Sequence, residues 1–147
     1  MNTWDSRFME FAKQYSTFSK DPSRKIGAVA VDPVKKIILS GGYNGFPRGI
    51  ADTPERLNDR PTKYKYVVHA EMNMIFNACH SGISLDNSHI YVYGLPVCSE
   101  CVKGLIQIGA KKIICQVDEV IPDTWATSWK NTCDMLNEVG IEYEFIS

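Results

Sequence analysis

The sequence lacks an excess of either charge. Its 16 Lys and Arg stand against 17 Asp and Glu, a formal net charge of −1. A protein that grips polynucleotides nonspecifically is normally basic, so no polynucleotide partner is expected. Long apolar runs are also missing. No stretch approaches the roughly 20 consecutive apolar residues of a membrane span, and no membrane partner is expected. The opening Met1-Asn2-Thr3-Trp4-Asp5 has no basic start followed by an apolar run, so no secretory signal is expected. Cysteine is odd in number and scattered, at Cys79, Cys98, Cys101, Cys115 and Cys133. That pattern argues against a secreted disulfide framework and fits a reducing cytoplasm. No internal repeat, low-complexity tract or linker interrupts the 147 residues. Residues 1–147 are expected to form one domain.

What is present reads as alternating strands and helices. Trp4, Phe8, Phe11, Ala12, Tyr15 and Phe18 recur at helical spacing, with Thr3 as the expected cap. Ile26–Val31 and Lys36–Ser40 read as a hairpin turned at Asp32-Pro33. The segment 41–66 holds Pro47, Pro54 and Pro61 and reads as a long loop, with room for a helical turn. Gly41-Gly42 suits close backbone approach or a positive φ. Helices are expected over Ala70–Cys79, Glu100–Ile108 and Trp125–Val139, the last two ended by Gly109 and Gly140. Strands are expected over Ile90–Tyr93, Lys112–Val117 and Glu142–Ile146. Parallel neighbours need helical crossovers. The expected fold is therefore a three-layer α/β/α domain with a five-stranded mixed sheet, its leading hairpin antiparallel and its later strands parallel.

Two short segments carry chemistry. His69-Ala70-Glu71 opens one expected helix, and Pro96-Val97-Cys98-Ser99-Glu100-Cys101 opens another. Cysteines three apart at a helix start face the same way. With His69, Cys98 and Cys101 make three zinc ligands. Three protein ligands leave the fourth tetrahedral position open, which is the layout of a catalytic site. Alone, the Cys-x-x-Cys could be redox-active, and a lone His-x-Glu means nothing. Together, one His-x-Glu and one proline-flanked Cys-x-x-Cys match the known signature of zinc deaminases; this is a match, not a derivation. Zinc lowers the pKa of a water it holds to about 7. A carboxylate must then take the water proton, protonate a ring nitrogen and pass a proton to departing ammonia. Glu71 suits that task. A helix N-terminus also favours thiolate over thiol at Cys98 and Cys101. A noncatalytic zinc module would instead carry a fourth ligand or lack the glutamate.

At these residues the chain resembles the cytidine and deoxycytidylate deaminase family. The likeness covers almost the full length. It includes Ser19-Lys20-Asp21-Pro22 before Ile26-Gly27-Ala28, and Gly42-Tyr43-Asn44-Gly45-Phe46-Pro47 with Gly49. It continues through Tyr66-Val67-Val68-His69-Ala70-Glu71-Met72-Asn73 and Ile106-Gln107-Ile108-Gly109-Ala110. The Gly-Tyr-Asn-Gly segment is typical of the nucleotide-specific branch. The resemblance implies hydrolysis of dCMP to dUMP and ammonia, with cytidine, CMP or a tRNA adenosine as rival substrates. It implies one catalytic Zn2+ per chain. It places Asn44 on the sugar and Ser23, Arg24 and Lys25 near the 5'-phosphate; Ala70 and Tyr66, beside His69 in sequence, are further expected substrate-binding residues. It further implies a homohexamer activated by dCTP and inhibited by dTTP, with Mg2+, at a site lined by Phe46, Pro47 and Arg48. One departure stands out: the family's proline directly precedes the first cysteine, whereas here Val97 intervenes.

Other residues have plainer readings. Cys79, Cys115 and Cys133 sit in apolar patterns and are expected in the core. His80 and His89 are expected to be ordinary surface or loop histidines. Tyr64, Tyr66, Trp125 and Trp129 could stack on a base, Tyr66 first among them by its closeness to His69.

Overall fold

A computed structural model describes residues 1–146. It opens with helix α1 (Thr3–Ser16). The cap is Asn2, not Thr3. Its side chain accepts from the Asp5 amide at 2.8 Å, and the Asp5 carboxylate accepts from the Asn2 amide at 3.3 Å. This reciprocal box satisfies donors that a helix start leaves open. Asp5 also accepts from the Tyr91 hydroxyl at 2.6 Å, so the box ties α1 to the sheet.

Strands β1 (Gly27–Asp32) and β2 (Ile37–Tyr43) form the expected antiparallel hairpin, with a register shift between Ala30 and Val31. β3 (His89–Tyr93) pairs antiparallel with β1. β4 (Lys112–Gln116) and β5 (Glu142–Ile146) then add in parallel. The sheet order is β2-β1-β3-β4-β5. Alternation along each strand divides the core between the two faces. Val29, Val31, Tyr91 and Ile114 pack with Phe8, Met9 and Ala12 of α1. On the other face Ala28, Ala30, Ile90, Val92, Ile113 and Cys115 pack against helices α4 (Ala70–Ser81), α5 (Ser99–Gln107) and α6 (Ala126–Val139). No helix among the described residues is long and apolar enough to cross a membrane.

The segment 41–66 departs from expectation. β2 continues through Gly41 and Gly42 to Tyr43, and two short helices follow, α2 (Pro54–Asn58) and α3 (Arg60–Tyr66). Each carries its proline in the first turn, where a missing N–H costs nothing. Thr53 caps α2 by accepting from the Arg56 amide at 3.3 Å. Pro54 and Pro61 therefore start helices, whereas Pro47 stays in the loop after β2.

Gly42 sets the spacing between β2 and α4. A Cβ there would lie 2.7 Å from the Ala70 carbonyl oxygen and closer still to the Met74 amide. Gly42→Ala should destabilise the protein by about 1–3 kcal/mol, because α4 must move off the sheet. At Gly45 the nearest atom to a new Cβ is 3.7 Å away, and φ is not left-handed. Gly45→Ala should therefore stay within about 0.5 kcal/mol of the parent. Urea unfolding of both variants checks the pair.

Candidate active site

The two chemistry-bearing segments meet at two helix starts. His69 occupies the N-cap of α4, and Glu71 is the helix's second residue. Cys98 occupies the N-cap of α5, and its sulfur accepts from the Cys101 amide at 3.4 Å. The His69 Nδ1 lies 3.5 Å from the Cys98 sulfur and 3.3 Å from the Cys101 sulfur. All three donor atoms lie within 4.8 Å of one another, and among the described residues the cluster comprises these three. A tetrahedral zinc, with Zn–S near 2.3 Å and Zn–N about 2.0–2.1 Å, requires N···S separations of about 3.5 Å. The donors fit, and they could hold zinc with one position open.

Electrostatics reinforce the geometry. Burial, then the negative charge at Cys98, push the Glu71 carboxyl up to about 7, against the opposing pull of His69. The hydrogen bond to Cys98 raises His69. The neighbouring Cys101 thiol holds Cys98 well below the usual thiol range, and Cys101 is itself held well above it. A helix N-terminus under Cys98 favours the same anion.

Glu71, His69 and Cys98 stand in the wall of a cavity of about 270 Å³. Of the other expected site residues, Ser23, Arg24, Asn44 and Ala70 also line it. Asn44 and Arg24 are already engaged, however. The Asn44 carboxamide accepts from the Ile26 amide and donates to the Arg24 carbonyl, both at 2.9 Å. The Arg24 guanidinium donates to the carbonyls of Gly94 at 3.1 Å and Val120 at 2.7 Å. Lys25 is exposed and lies outside the cavity lining.

Tyr66 is also outside the lining. Its ring packs 5.6 Å from that of Phe46 and beneath the Arg56 guanidinium. Tyr64, Lys63 and Val67 line the cavity in its place. Residues 64 and 66 of α3 point about 200° apart at 100° per residue, so closeness in sequence to His69 misled. Trp125 also lines the cavity, and its indole N–H donates to the Pro96 carbonyl at 3.1 Å.

Lys63 went unread in the sequence. It is only 4% exposed. Its ammonium donates to Asp21 at 3.1 Å and reaches the Ser23 hydroxyl at 3.4 Å. Only recognition of α3 would have turned this lysine inward.

Phe46, Pro47 and Arg48 line a separate groove of about 320 Å³ with Asn73, Phe76 and Asn77. The expected core cysteines divide. Cys115 is buried, and burial pushes its thiol up to about 12. Cys133 is half-buried, and Cys79 is exposed on the outer side of α4. His80 is exposed; His89 is partly buried, and burial lowers its pKa.

An open three-donor metal set beside a buried carboxyl has the layout of a catalytic centre, the class being a metal-dependent hydrolase. Comparison with known proteins narrows the class. The family model "Cytidine and deoxycytidylate deaminase zinc-binding region" matches residues 2–117. A probable deoxycytidylate deaminase of Drosophila melanogaster is 33% identical over 96% of this chain and 71% of its own length. The deoxycytidylate deaminase of Homo sapiens is 38% identical over 85% of this chain and 71% of its own. The crystal structure of the dCMP deaminase from cyanophage S-TIM5, in complex with dCMP and dUMP, superposes with a TM-score of 0.76 at 25% identity, covering 99% of each chain. The chain belongs to the cytidine and deoxycytidylate deaminase family, and it is a deaminase.

The donor geometry predicts the metal content of variants. Protein with Cys98→Ala or Cys101→Ala should purify with little zinc. Glu71→Gln should retain about one zinc per chain, because Glu71 is outside the ligand set. Elemental analysis of dialysed protein decides it.

Proposed function

We propose that this chain hydrolyses dCMP to dUMP and ammonia, with His69, Cys98 and Cys101 holding one zinc ion. The observation that carries the proposal is the buried Glu71 carboxyl standing beside the three clustered donors, two of which, His69 and Cys98, share its cavity wall. Relatives named as deoxycytidylate deaminases, and the phage enzyme's complex with dCMP and dUMP, support the choice of substrate.

When bound, the zinc acts as a Lewis acid that makes water nucleophilic near neutral pH. Glu71 then carries protons. Its carboxylate takes one from the attacking water as the C–O bond forms at C4 of the ring. It would deliver that proton to N3, then take the proton of the new C4 hydroxyl and pass it to the amine as the C–N bond breaks and the C4 carbonyl forms. Burial raises the Glu71 carboxyl toward neutrality, which suits a group that must both take and give a proton. The products are dUMP and ammonia, so the atoms balance. Tyr64 and Trp125 flank the cavity where a flat base fits, and the small side chain of Ala70 leaves room for it.

The phosphate end is assigned to Lys63 and Ser23. An ammonium has three N–H donors; Asp21 and Ser23 face two of them, leaving one for the ligand. Arg24 is tied to Gly94 and Val120 and serves to shape the wall. The free amide capacity of Asn44 suits a sugar hydroxyl. We include in the proposal a homohexamer, a cytoplasmic location, and control by dCTP and dTTP with Mg2+ at the groove of Phe46, Pro47 and Arg48.

Ammonia release should be fast with dCMP and slow with deoxycytidine or an oligonucleotide; robust oligonucleotide turnover would overturn the assignment. Glu71→Gln should lower kcat by about 10²–10⁴, typical for loss of a general acid–base. Lys63→Met made together with Asp21→Asn leaves no uncompensated buried charge. That variant should raise KM for dCMP at least tenfold while leaving deoxycytidine turnover unchanged. An unchanged KM would remove Lys63 from the phosphate site.

A further inference from the structure

The peptide leading into Cys98 is held from outside its own helix. Thr132 on α6 is fully buried, and its hydroxyl donates to the Val97 carbonyl at 2.8 Å. Trp125, at the start of α6, donates to the Pro96 carbonyl at 3.1 Å. Ser128 accepts from the Ser99 amide at 2.9 Å, and its hydroxyl lies 3.3 Å from that of Ser99. Residues 125, 128 and 132 are spaced by three and four, so they share one helical stripe. That stripe grips the backbone on both sides of Cys98. The Ser99 amide is one of the donors that a helix start leaves without an internal partner, and Ser128 satisfies it.

We propose that α6 is a positioning clamp for the Cys98 sulfur, with Thr132 as its central residue; this rests on the zinc site proposed above. Val97 explains why a clamp is needed. A proline directly before the cysteine would lock its own φ near −65°. Val97 lacks that restriction, so the approach of the chain to Cys98 is open unless something else restricts it. The Val97 side chain is fully buried, and its carbonyl is held by Thr132. The clamp thus supplies from α6 the rigidity that the local sequence omits. The Cys98 sulfur accepts from the Cys101 amide at 3.4 Å and stands 3.5 Å from His69. A small swing of this peptide would break both relations.

The test compares Thr132→Val, Thr132→Ser and Leu136→Ala in the full-length protein. Thr132→Val keeps shape and loses the hydroxyl; Thr132→Ser keeps the hydroxyl. Leu136 is fully buried one turn beyond Thr132, in the same core, but makes no hydrogen bond to the Cys98 peptide, and serves as a control for lost packing alone. Zinc affinity is read by competition with a chromophoric chelator, well below each variant's melting temperature. Thiolate-to-metal geometry is read from the absorption spectrum of the Co2+-substituted protein. Thr132→Val should bind zinc about 10–100-fold more weakly, the usual loss when the support of a ligand is removed, with a changed Co2+ spectrum. Thr132→Ser should restore both, and Leu136→Ala should alter neither. Wild-type zinc affinity in Thr132→Val, or equal weakening in Leu136→Ala, would overturn the clamp. Amide hydrogen exchange of the metal-free protein separates the clamp from the zinc assignment. Faster exchange confined to residues 97–101 in Thr132→Val supports the clamp even if wild type takes up no zinc. Unchanged exchange there refutes it.

Discussion

Everything chemical in this protein depends on two helix N-termini meeting. α4 delivers His69 and Glu71, and α5 delivers Cys98 and Cys101. Helix starts present open N–H groups and the positive end of the helix dipole. Placed together they stabilise anionic sulfur, and they would repel one another without negative charge between them. The sheet forces the meeting. α4 packs across β1 and β2, whereas α5 leaves the C-terminal end of β3, the neighbour of β1 on its other side. Gly42 lets α4 sit close enough to the sheet for the donors to converge.

The same packing buries the carboxyl beside the donors. Glu71 sits at the first turn of α4, a favourable place for a carboxylate, yet its pKa is raised. Desolvation outweighs the dipole because the group is only 4% exposed. Asp21 and Lys63 show the opposite solution to burial. Each neutralises the other, and the Asp21 oxygen also accepts from the amides of Ser23 and Arg24. One buried acid is thus kept able to move a proton, and the other is locked into a pair that shapes the wall.

Much of this was legible in the residues. Hydrophobic periodicity placed the strands near their observed bounds, because apolar alternation and turn residues act locally. His69, Glu71, Cys98 and Cys101 were legible because ligand chemistry restricts both residue type and spacing. The segment 41–66 was not. Its prolines mark helix starts or breaks equally well in sequence, and only the packing of α2 and α3 selects the former. Tyr64 lines the cavity in place of Tyr66, and Lys63 went unread, for the same reason: without α3, no face can be assigned to any of them. Cys79 showed the weakness of apolar context, since its helix turns that position outward.

By itself, the sequence determined the alternation of elements, the three candidate metal donors and the acid beside them, since each follows from local periodicity or from the chemistry of a few side chains. Tertiary structure alone decided which polar groups remain free to meet a ligand. Arg24 and Asn44 have suitable chemistry, but backbone carbonyls and an amide distant in sequence fix how each side chain is held and occupy part of its hydrogen-bonding capacity. Lys63 faces the cavity only because Asp21 is brought against it from 42 residues away in the chain. The grip of Thr132, Ser128 and Trp125 on the Cys98 peptide is likewise invisible in one dimension. Such contacts depend on which backbone groups the fold leaves unpaired, and a linear pattern does not encode that.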